Sequence, residues 1–284
     1  MLPSVDRDAI GTVSDFCLGV LRSGDLASKL APPGSLDDGE PGAALAIDAP
    51  AREEGLAMSS GAEPLPRPGA LGDPAARALC LARFAHHELM AVELYAWALL
   101  RWPQAPRGLR ADWLGVLADE QRHCRLYLER LSAHRSDLAS HTLSDYFWKH
   151  ASAIAASRRG PQAFLCAMGL TLEQANLDFS LVYRDAFRAG GDEASARVCQ
   201  RVHEDEIGHV ALAARWLRAL SPERDEVERY VAAVPFPLSA ARAKGRRFDL
   251  VSRRRAGLEP GFIEHVRQAR SSQESGRGPG RSRP

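Results

Sequence analysis

Apolar residues recur every three to four positions through most of the chain between residues 74 and 220. This spacing places them on one face of a helix, whereas the alternation typical of half-buried strands is nearly absent. The breaks in the pattern are rich in Gly, Pro, Ser and Arg, as helix ends and turns usually are. The pattern therefore predicts an all-α fold, with long helices at 74–100, 110–132, 162–188 and 193–219 and a shorter one near 141–156.

The flanking segments differ from this region. Residues 5–22 carry apolar positions at helical spacing and are predicted to form a short helix. Residues 31–73 are rich in Pro, Gly and acid, a composition that favours a flexible linker over an ordered coil. Short helices are expected after residue 220. The chain is thus divided into an N-terminal part, a helical core, a helical extension and a disordered basic tail, at 1–73, 74–220, 221–270 and 271–284.

Composition and charge favour a soluble, cytoplasmic protein. The formal net charge is +1, so the whole chain is not drawn to nucleic acid or to a membrane. The five cysteines are scattered without a C-x-x-C pair, which is typical of reduced thiols in a cytoplasm. The start, "MLPSVDRDAIGTV", lacks the pattern of a signal peptide, and no apolar run is long enough to span a membrane.

One short motif occurs twice. It reads Asp119-Glu120-x-x-His123 in the first half of the core and Asp205-Glu206-x-x-His209 in the second. Residues three apart lie on one helix face, so the Glu and His of each copy project together and can bind one metal ion. A single copy is weak evidence, because a charged helix face is usually just solvated.

The helix before each motif strengthens the metal interpretation. Glu88 precedes Glu120 by 32 residues, and Glu173 precedes Glu206 by 33. A second acid follows five residues after each of the earlier glutamates, at Glu93 and at Asp178. The chain therefore reads as a helix pair written twice and closing into a four-helix bundle. The predicted metal ligands are Glu88, Glu120, His123, Glu173, Glu206 and His209.

Four carboxylates and two imidazoles suit two ions of iron or manganese, whereas zinc prefers tetrahedral sites with more nitrogen or sulfur. Iron is favoured, and manganese or a mixed Mn/Fe pair stays open. Asp119 and Asp205 each lie four residues before a ligand histidine and are predicted to accept its N–H.

Other residues near the predicted ligands have less specific signals. Tyr95 and Tyr127 are candidates for a bond to a ligand carboxylate or for electron relay, although aromatic residues at helical spacing are more often core. Asn176 is a candidate partner of Glu173. Gly169 and Gly208 either leave room near the centre or allow close helix packing. Whether Glu93, Asp178 or His203 also contacts metal stays open.

Four core segments carry a resemblance to a known family. They are "FAHHELMAVELYAWALLRWP" (84–103), "LADEQRHCRLYLERL" (117–131), "CAMGLTLEQANLDF" (166–179) and "VHEDEIGHVALAARWL" (202–217). The core resembles the bacterial ferritin-like family known as domain of unknown function 455. This resemblance implies a ferritin-like bundle, a di-metal expectation and a Pro-rich segment around "PRPG" (66–69) that wraps the domain. The form at 119–123 is also similar to the motif of bacterial multicomponent monooxygenases, which use di-iron to activate oxygen.

These features favour a di-metal oxidase or oxygenase that uses O₂ or peroxide and an electron donor on an unidentified substrate. The alternatives are a ferroxidase or metal-handling protein, and a binding protein that metal only stabilises. An RNA-modifying hydroxylase is supported only by the basic stretches 241–255 and 270–284, which lack interleaved aromatic residues, so nucleic acid is not a favoured partner. A homodimer is left open.

Overall fold

The structure is a computed structural model that describes residues 11–61 and 64–270. It confirms an all-α protein, in which the strands are only two residues long. Its contacts divide the chain into two compact units. The first comprises the residues up to Ser152 together with Ala189–Ser195, and the second comprises Ala153–Arg188 and the residues from Ala196 onward.

The first unit contains the N-terminal elements and two long helices. Its helices are α1 (Val13–Arg22), α2 (Leu26–Lys29), α3 (Pro74–Arg101) and α4 (Arg107–Ala133). Its short strands are β1 (Gly11–Thr12), β2 (Leu36–Asp37), β3 (Met58–Ser59) and β4 (Leu143–Ser144). The pairs β1–β2 and β3–β4 are both parallel.

Local sequence explains where α3 starts. Asp73 caps it by accepting a hydrogen bond from the Ala75 backbone N–H at 3.1 Å, and Pro74 occupies the first helical position, where no N–H is needed. Helix α4 runs antiparallel to α3. The Cys124 thiol lies 3.2 Å from the Ala85 carbonyl, and the Arg110 guanidinium donates to the Leu99 carbonyl at 2.5 Å. We call α3 and α4 the first hairpin.

The coil before α3 packs against that helix at residues 45–52, so the flexible linker that composition favoured is wrong for this stretch. Leu45 donates its backbone N–H to the Leu100 carbonyl at 3.0 Å, and the Trp97 indole donates to the Ile47 carbonyl at 2.9 Å. Arg52 reaches Glu93 on α3 at 2.7 Å. Composition could not show this, because the coil takes its partners from a distant helix.

The second unit contains a long helical segment whose regular α-helical hydrogen bonding is interrupted once. Helix α6 (Pro161–Ala167) passes through a π-helical turn (Met168–Glu173) into α7 (Gln174–Ala189). The sequence predicted a single helix at 162–188. Helix α5 (Ala151–Ala156) precedes this segment, and α8 (Glu193–Leu220), α9 (Glu226–Ala233), α10 (Leu250–Arg255) and α11 (Pro260–Gln268) follow it.

Helices α7 and α8 are antiparallel. The Ser180 hydroxyl lies 2.9 Å from His203 Nδ1, and one turn further along α7 the Arg184 guanidinium donates to Gln200 at 2.6 Å. We call the π turn, α7 and α8 the second hairpin. Each hairpin therefore presents one helix beside the next with the chain direction reversed.

One predicted helix boundary needs correction, and two predicted segments lie partly or wholly outside the described residues. The helix expected near 141–156 is helical only from Trp148, as a 3₁₀ turn (Trp148–His150) that leads into α5, because residues 143–144 pair as β4 with β3. The N-terminal helix starts at Val13, capped by Thr12. Residues 5–10 and the basic tail at 271–284 lie outside the described part. None of the described helices combines the length and apolar character of a membrane span.

Candidate metal centre

The first hairpin brings three of the predicted ligands together. One ligand atom from each of Glu88, Glu120 and His123 lies within 4.8 Å of the others. All three side chains are buried, and the His123 Nδ1 is 3.4 Å from the Glu120 Oε2. We call this group the first cluster. It combines two carboxylates and one imidazole in the interior of the first unit.

The second hairpin carries the corresponding three residues, which we call the second cluster. Ligand atoms of Glu173 and His209 lie within 4.8 Å of each other, and the His209 Nδ1 is 3.7 Å from the Glu206 Oε2. All three side chains are again buried. Each hairpin thus presents the same donor set from the same positions of its helices.

Asn176 distinguishes the second cluster from the first. Its side-chain amide donates to the Glu206 Oε1 at 2.8 Å. The other oxygen, Oε2, is buried and accepts no hydrogen bond from any described residue. A buried carboxylate oxygen without a donor is costly unless a cation balances it, so Glu206 fits a metal ligand.

The chemistry of the donors fits a hard or borderline ion. Carboxylate oxygen and imidazole nitrogen suit iron and manganese, and the buried Glu and His groups could hold such an ion. Cys124 does not add a sulfur donor. Burial raises the pKa of its thiol well above the usual range, and the charge of Glu88 raises it further. The thiol is therefore protonated and directed at a backbone carbonyl.

Glu93, the second acid of the first hairpin, is held by protein groups. Its carboxylate lies 3.0 Å from Lys29 and 2.7 Å from Arg52, and the Trp148 indole donates to it at 2.8 Å. The side chain is fully buried. Two cations from the N-terminal segment therefore compensate its charge.

Asp178, the second acid of the second hairpin, is held in a similar way from the other end of the chain. Arg253 contacts it at 2.7 Å, and the backbone N–H groups of Gly245 and Asp249 donate to it at 2.8 and 2.6 Å. His203 is also engaged, since its two ring nitrogens lie 2.9 Å from the hydroxyls of Ser180 and Ser252. These side chains connect secondary-structure elements.

The residues predicted to support the ligands have varied surroundings. Asp119 accepts from Arg122 at 2.7 Å and Asp205 from Arg201 at 3.0 Å, so both carboxylates face arginines on their own helices. Their predicted bonds to the ligand imidazoles stay predictions. Asn176 contacts Glu206, across on α8, where the sequence suggested Glu173.

The two candidate tyrosines lie in the interior of the first unit. Tyr127 packs on Phe84 with ring centroids 5.3 Å apart. Tyr95 is buried on α3. The contact of Tyr127 is that of a core aromatic residue.

Gly169 allows close packing. A Cβ at this position would lie 2.3 Å from the Ala213 Cβ on α8 and 3.6 Å from the Glu173 Oε2. The absence of a side chain therefore lets the two helices approach. Gly208 lies on an exposed surface of α8, with nothing within 4 Å of such a Cβ.

Three arginines of the C-terminal extension form ion pairs inside the second unit. Arg247 pairs with Asp185 and Arg255 with Glu204, both at 2.6 Å, in addition to the pair between Arg253 and Asp178. Sequence reasoning missed these roles because each arginine meets a carboxylate about 50 or more positions away. Local charge density carries no signal for such pairs.

Sequence reasoning also missed Thr171 and Tyr230, whose hydroxyls meet at 2.7 Å beside the π turn. The two residues are 59 positions apart, so no local pattern links them.

Comparison with known protein families gives a match over most of the chain. The model of the family described as "Protein of unknown function (DUF455)" matches residues 21–264. No curated protein and no solved structure matches the chain.

Proposed function

Because the chain belongs to the family described as "Protein of unknown function (DUF455)", we propose its function from the two buried clusters. We propose that the two hairpins form a ferritin-like four-helix bundle and that their clusters together bind two metal ions. Iron is favoured, with manganese or a mixed pair as the alternative. The support is the repeated donor set, which occurs at matching positions of two antiparallel hairpins.

The observation that carries this proposal is the burial of the six ligands. Each is at most 7% exposed, although four of them are carboxylates. Burying so many acids without cations is strongly unfavourable, whereas two divalent ions would balance their charge. His87 and Glu204 are close in sequence to these ligands, but their side chains are more exposed to solvent.

We propose that the protein is an oxidase or oxygenase acting on an organic substrate. When bound, iron or manganese would supply redox chemistry with O₂ or peroxide. The residues of the chain would supply position and environment. Asn176 holds one oxygen of Glu206, and burial around the clusters strengthens each electrostatic contact by lowering the local dielectric.

Two alternatives keep the metal and drop the organic substrate. In one the protein oxidises or handles iron itself, and in the other the metal only stabilises a binding protein. The near-complete burial of the ligands suits a stabilising role as well as a reactive one. Reaction with oxygen separates these functions.

The first experiment is elemental analysis of the purified protein, followed by anaerobic Fe(II) loading and exposure to O₂ in an absorption spectrometer. We expect about two ions per chain, the nuclearity of ferritin-like carboxylate centres, and a transient absorption band after O₂. Two ions without an oxygen reaction would favour the stabilising role. No metal under any loading condition would rule out the proposal.

Variants test the ligand set. Glu120→Ala and Glu206→Ala should abolish binding of the metal pair while circular dichroism shows unchanged helix content. Glu204→Ala is the matched control, because Glu204 lies on the same helix as Glu206 but is exposed and pairs with Arg255. Unchanged metal content in both ligand variants would exclude the proposed set.

A further inference from the structure

The π turn in the second hairpin carries a predicted ligand. Glu173 is the last residue of this turn, which spans Met168–Glu173. Turns of this kind are rare, and they are often found at functional sites because they insert a residue into an otherwise regular helix. If this turn had regular α-helical hydrogen bonds instead, Glu173 would be rotated by roughly 100° relative to α6. Each residue of an α-helix turns the chain by about that angle. The direction of Glu173 therefore depends on the turn being maintained.

A chain of two hydroxyl groups supports the turn. The Thr171 Oγ1 donates to the Cys166 carbonyl at 2.6 Å and lies 2.7 Å from the Tyr230 hydroxyl. A threonine hydroxyl has one proton, which the carbonyl already accepts, so Tyr230 is the donor to Thr171. The Tyr230 hydroxyl thus donates to the Thr171 hydroxyl, which in turn donates to the Cys166 carbonyl.

The surroundings of Tyr230 keep this donor in place. The residue lies on α9 and is 1% exposed, and its ring packs against Phe262 at 5.1 Å and His265 at 6.4 Å between centroids. Burial raises the pKa of the Tyr230 hydroxyl, so it stays protonated in neutral solution. Thr171 is fully buried, so water does not compete for the contact.

The first hairpin has a counterpart at the same position. His86 lies two residues before Glu88, as Thr171 lies two residues before Glu173. The His86 Nε2 is 2.7 Å from Arg52, in the coil that precedes α3. In each hairpin, a residue two before the ligand glutamate is thus contacted from a segment outside the hairpin.

We propose that Tyr230 and Thr171 are positioning residues for Glu173. They hold the π turn in the register that directs this carboxylate to the metal, and α9 of the C-terminal extension is therefore part of the metal site. This inference rests on the proposed function.

The test uses Co²⁺ as a probe, because its visible absorption reports coordination number and geometry. The variants are Tyr230→Phe and Thr171→Val, which remove the hydrogen bonds and keep most of the volume. We expect one of the two Co²⁺ ions to bind about tenfold more weakly, at the lower end of what loss of an outer hydrogen-bond partner costs. We also expect its absorption spectrum to change.

Two controls separate positioning from stability. Thr171→Ser keeps the hydroxyl and should retain the wild-type spectrum. Phe262→Leu disturbs the packing around Tyr230 without removing its hydroxyl, and it should lower the thermal midpoint while leaving the spectrum unchanged.

The outcomes distinguish this inference from the proposed function. If the wild type binds two Co²⁺ ions and both hydroxyl-removing variants match it in affinity and spectrum, the positioning role is wrong and the metal site stands. The same conclusion follows if Phe262→Leu changes the spectrum as much as Tyr230→Phe does. If the wild type binds no Co²⁺, Fe(II) or Mn(II), the proposed function fails and the inference fails with it.

Discussion

The two hairpins carry the same ligand pattern but differ in what surrounds it. Four residues before the ligand glutamate and four after the ligand histidine, the first hairpin has Phe84 and Tyr127, whose rings are 5.3 Å apart. At these positions the second hairpin has Gly169 and Ala213, which approach so closely that a Cβ on the glycine would not fit. The two aromatic side chains of the first hairpin are thus replaced by direct contact between the helices in the second.

A second difference lies three residues after the ligand glutamate. The first hairpin has Ala91 there, which has no side-chain donor, whereas the second has Asn176 bonded to Glu206. The first hairpin also has an unbroken α3, whereas the second contains the π turn. The repeat therefore preserves the donors and leaves each hairpin to position them by its own contacts.

The flanking segments show the same principle. Glu93 and Asp178 occupy matching positions, but cations from the segment before the first hairpin hold Glu93, and Arg253 from the segment after the second hairpin holds Asp178. Each hairpin is thus tied to its own end of the chain. Lys29, Arg52 and Arg253 all lie within residues 21–264, which the family model matches.

The largest loss of stability should come from removing the buried ion pair between Arg253 and Asp178 in the second hairpin. Arg253→Met leaves Asp178 buried without its cation, and loss of one partner of a buried ion pair costs about 3–5 kcal/mol of unfolding free energy. Arg52→Met should cost less, because Lys29 and Trp148 still contact Glu93. Urea unfolding of both variants measures the difference.

A double variant is the control for this comparison. Arg253→Met with Asp178→Leu removes both charges and should recover much of the lost stability. Equal losses of unfolding free energy for the Arg253 and Arg52 variants would show that the two buried ion pairs do not differ as their contacts indicate.

Gly169→Ala tests the close contact in the second hairpin. The added Cβ would overlap Ala213, and overpacking typically costs about 1–3 kcal/mol. Ala213→Gly in the same chain should restore part of the loss. Thermal unfolding provides the measurement.

Gly208→Ala is the matched control on α8. Among the described residues, nothing lies within 4 Å of the added Cβ, so the folded protein can accommodate it. The substitution should stabilise the protein by about 0.4–1 kcal/mol, because alanine lowers the conformational entropy of the unfolded chain. Destabilisation by both alanine variants would mean that helix contact is not the reason for Gly169.

Asn176→Leu tests the side-chain donor that occupies the position of Ala91 in the first hairpin. Metal affinity should fall roughly tenfold, which corresponds to about 1.4 kcal/mol, because Glu206 loses its fixed orientation. Titration with Mn²⁺ measures the affinity. Gln200→Ala, which removes the hydrogen bond from Arg184 on α7 to α8 without contact to Asn176 or Glu206, should leave it unchanged.

The smallest effect concerns the start of α8. Asp192 accepts from the Ser195 backbone N–H at 3.0 Å, whereas α4 begins after Pro106 without a side-chain cap. Burial acts to raise the pKa of Asp192, but hydrogen bonds from Ser195 and His134 and the Arg130 charge outweigh it and lower the pKa to about 2.

Since the folded pKa of Asp192 is depressed, its contribution to stability is present above the unfolded value of about 4 and is lost as the pH falls toward 2. Asp192→Asn keeps the cap but not the charge. It should lower stability at neutral pH by about 0.5–1 kcal/mol and make the acid dependence between these pH values shallower. An unchanged acid dependence would contradict this role.

The sequence contained most of the helical fold, because helix periodicity and end signals are local. The bounds predicted for the first hairpin, 74–100 and 110–132, agree closely with Pro74–Arg101 and Arg107–Ala133. The matched spacing of two Glu-x-x-His motifs and their preceding glutamates was likewise readable, since it depends only on counting along the chain. The six candidate ligands came from that count.

The tertiary structure decided the remainder, because it depends on partners far apart in the chain. The coil at 31–73 has a composition that favours disorder, yet Arg52 meets Glu93 41 positions later. Asp178 meets Arg253 across 75 positions, and the π turn meets Tyr230 across 59. No local pattern records such contacts, since each is selected by the burial of a polar group that must find a partner when the chain folds.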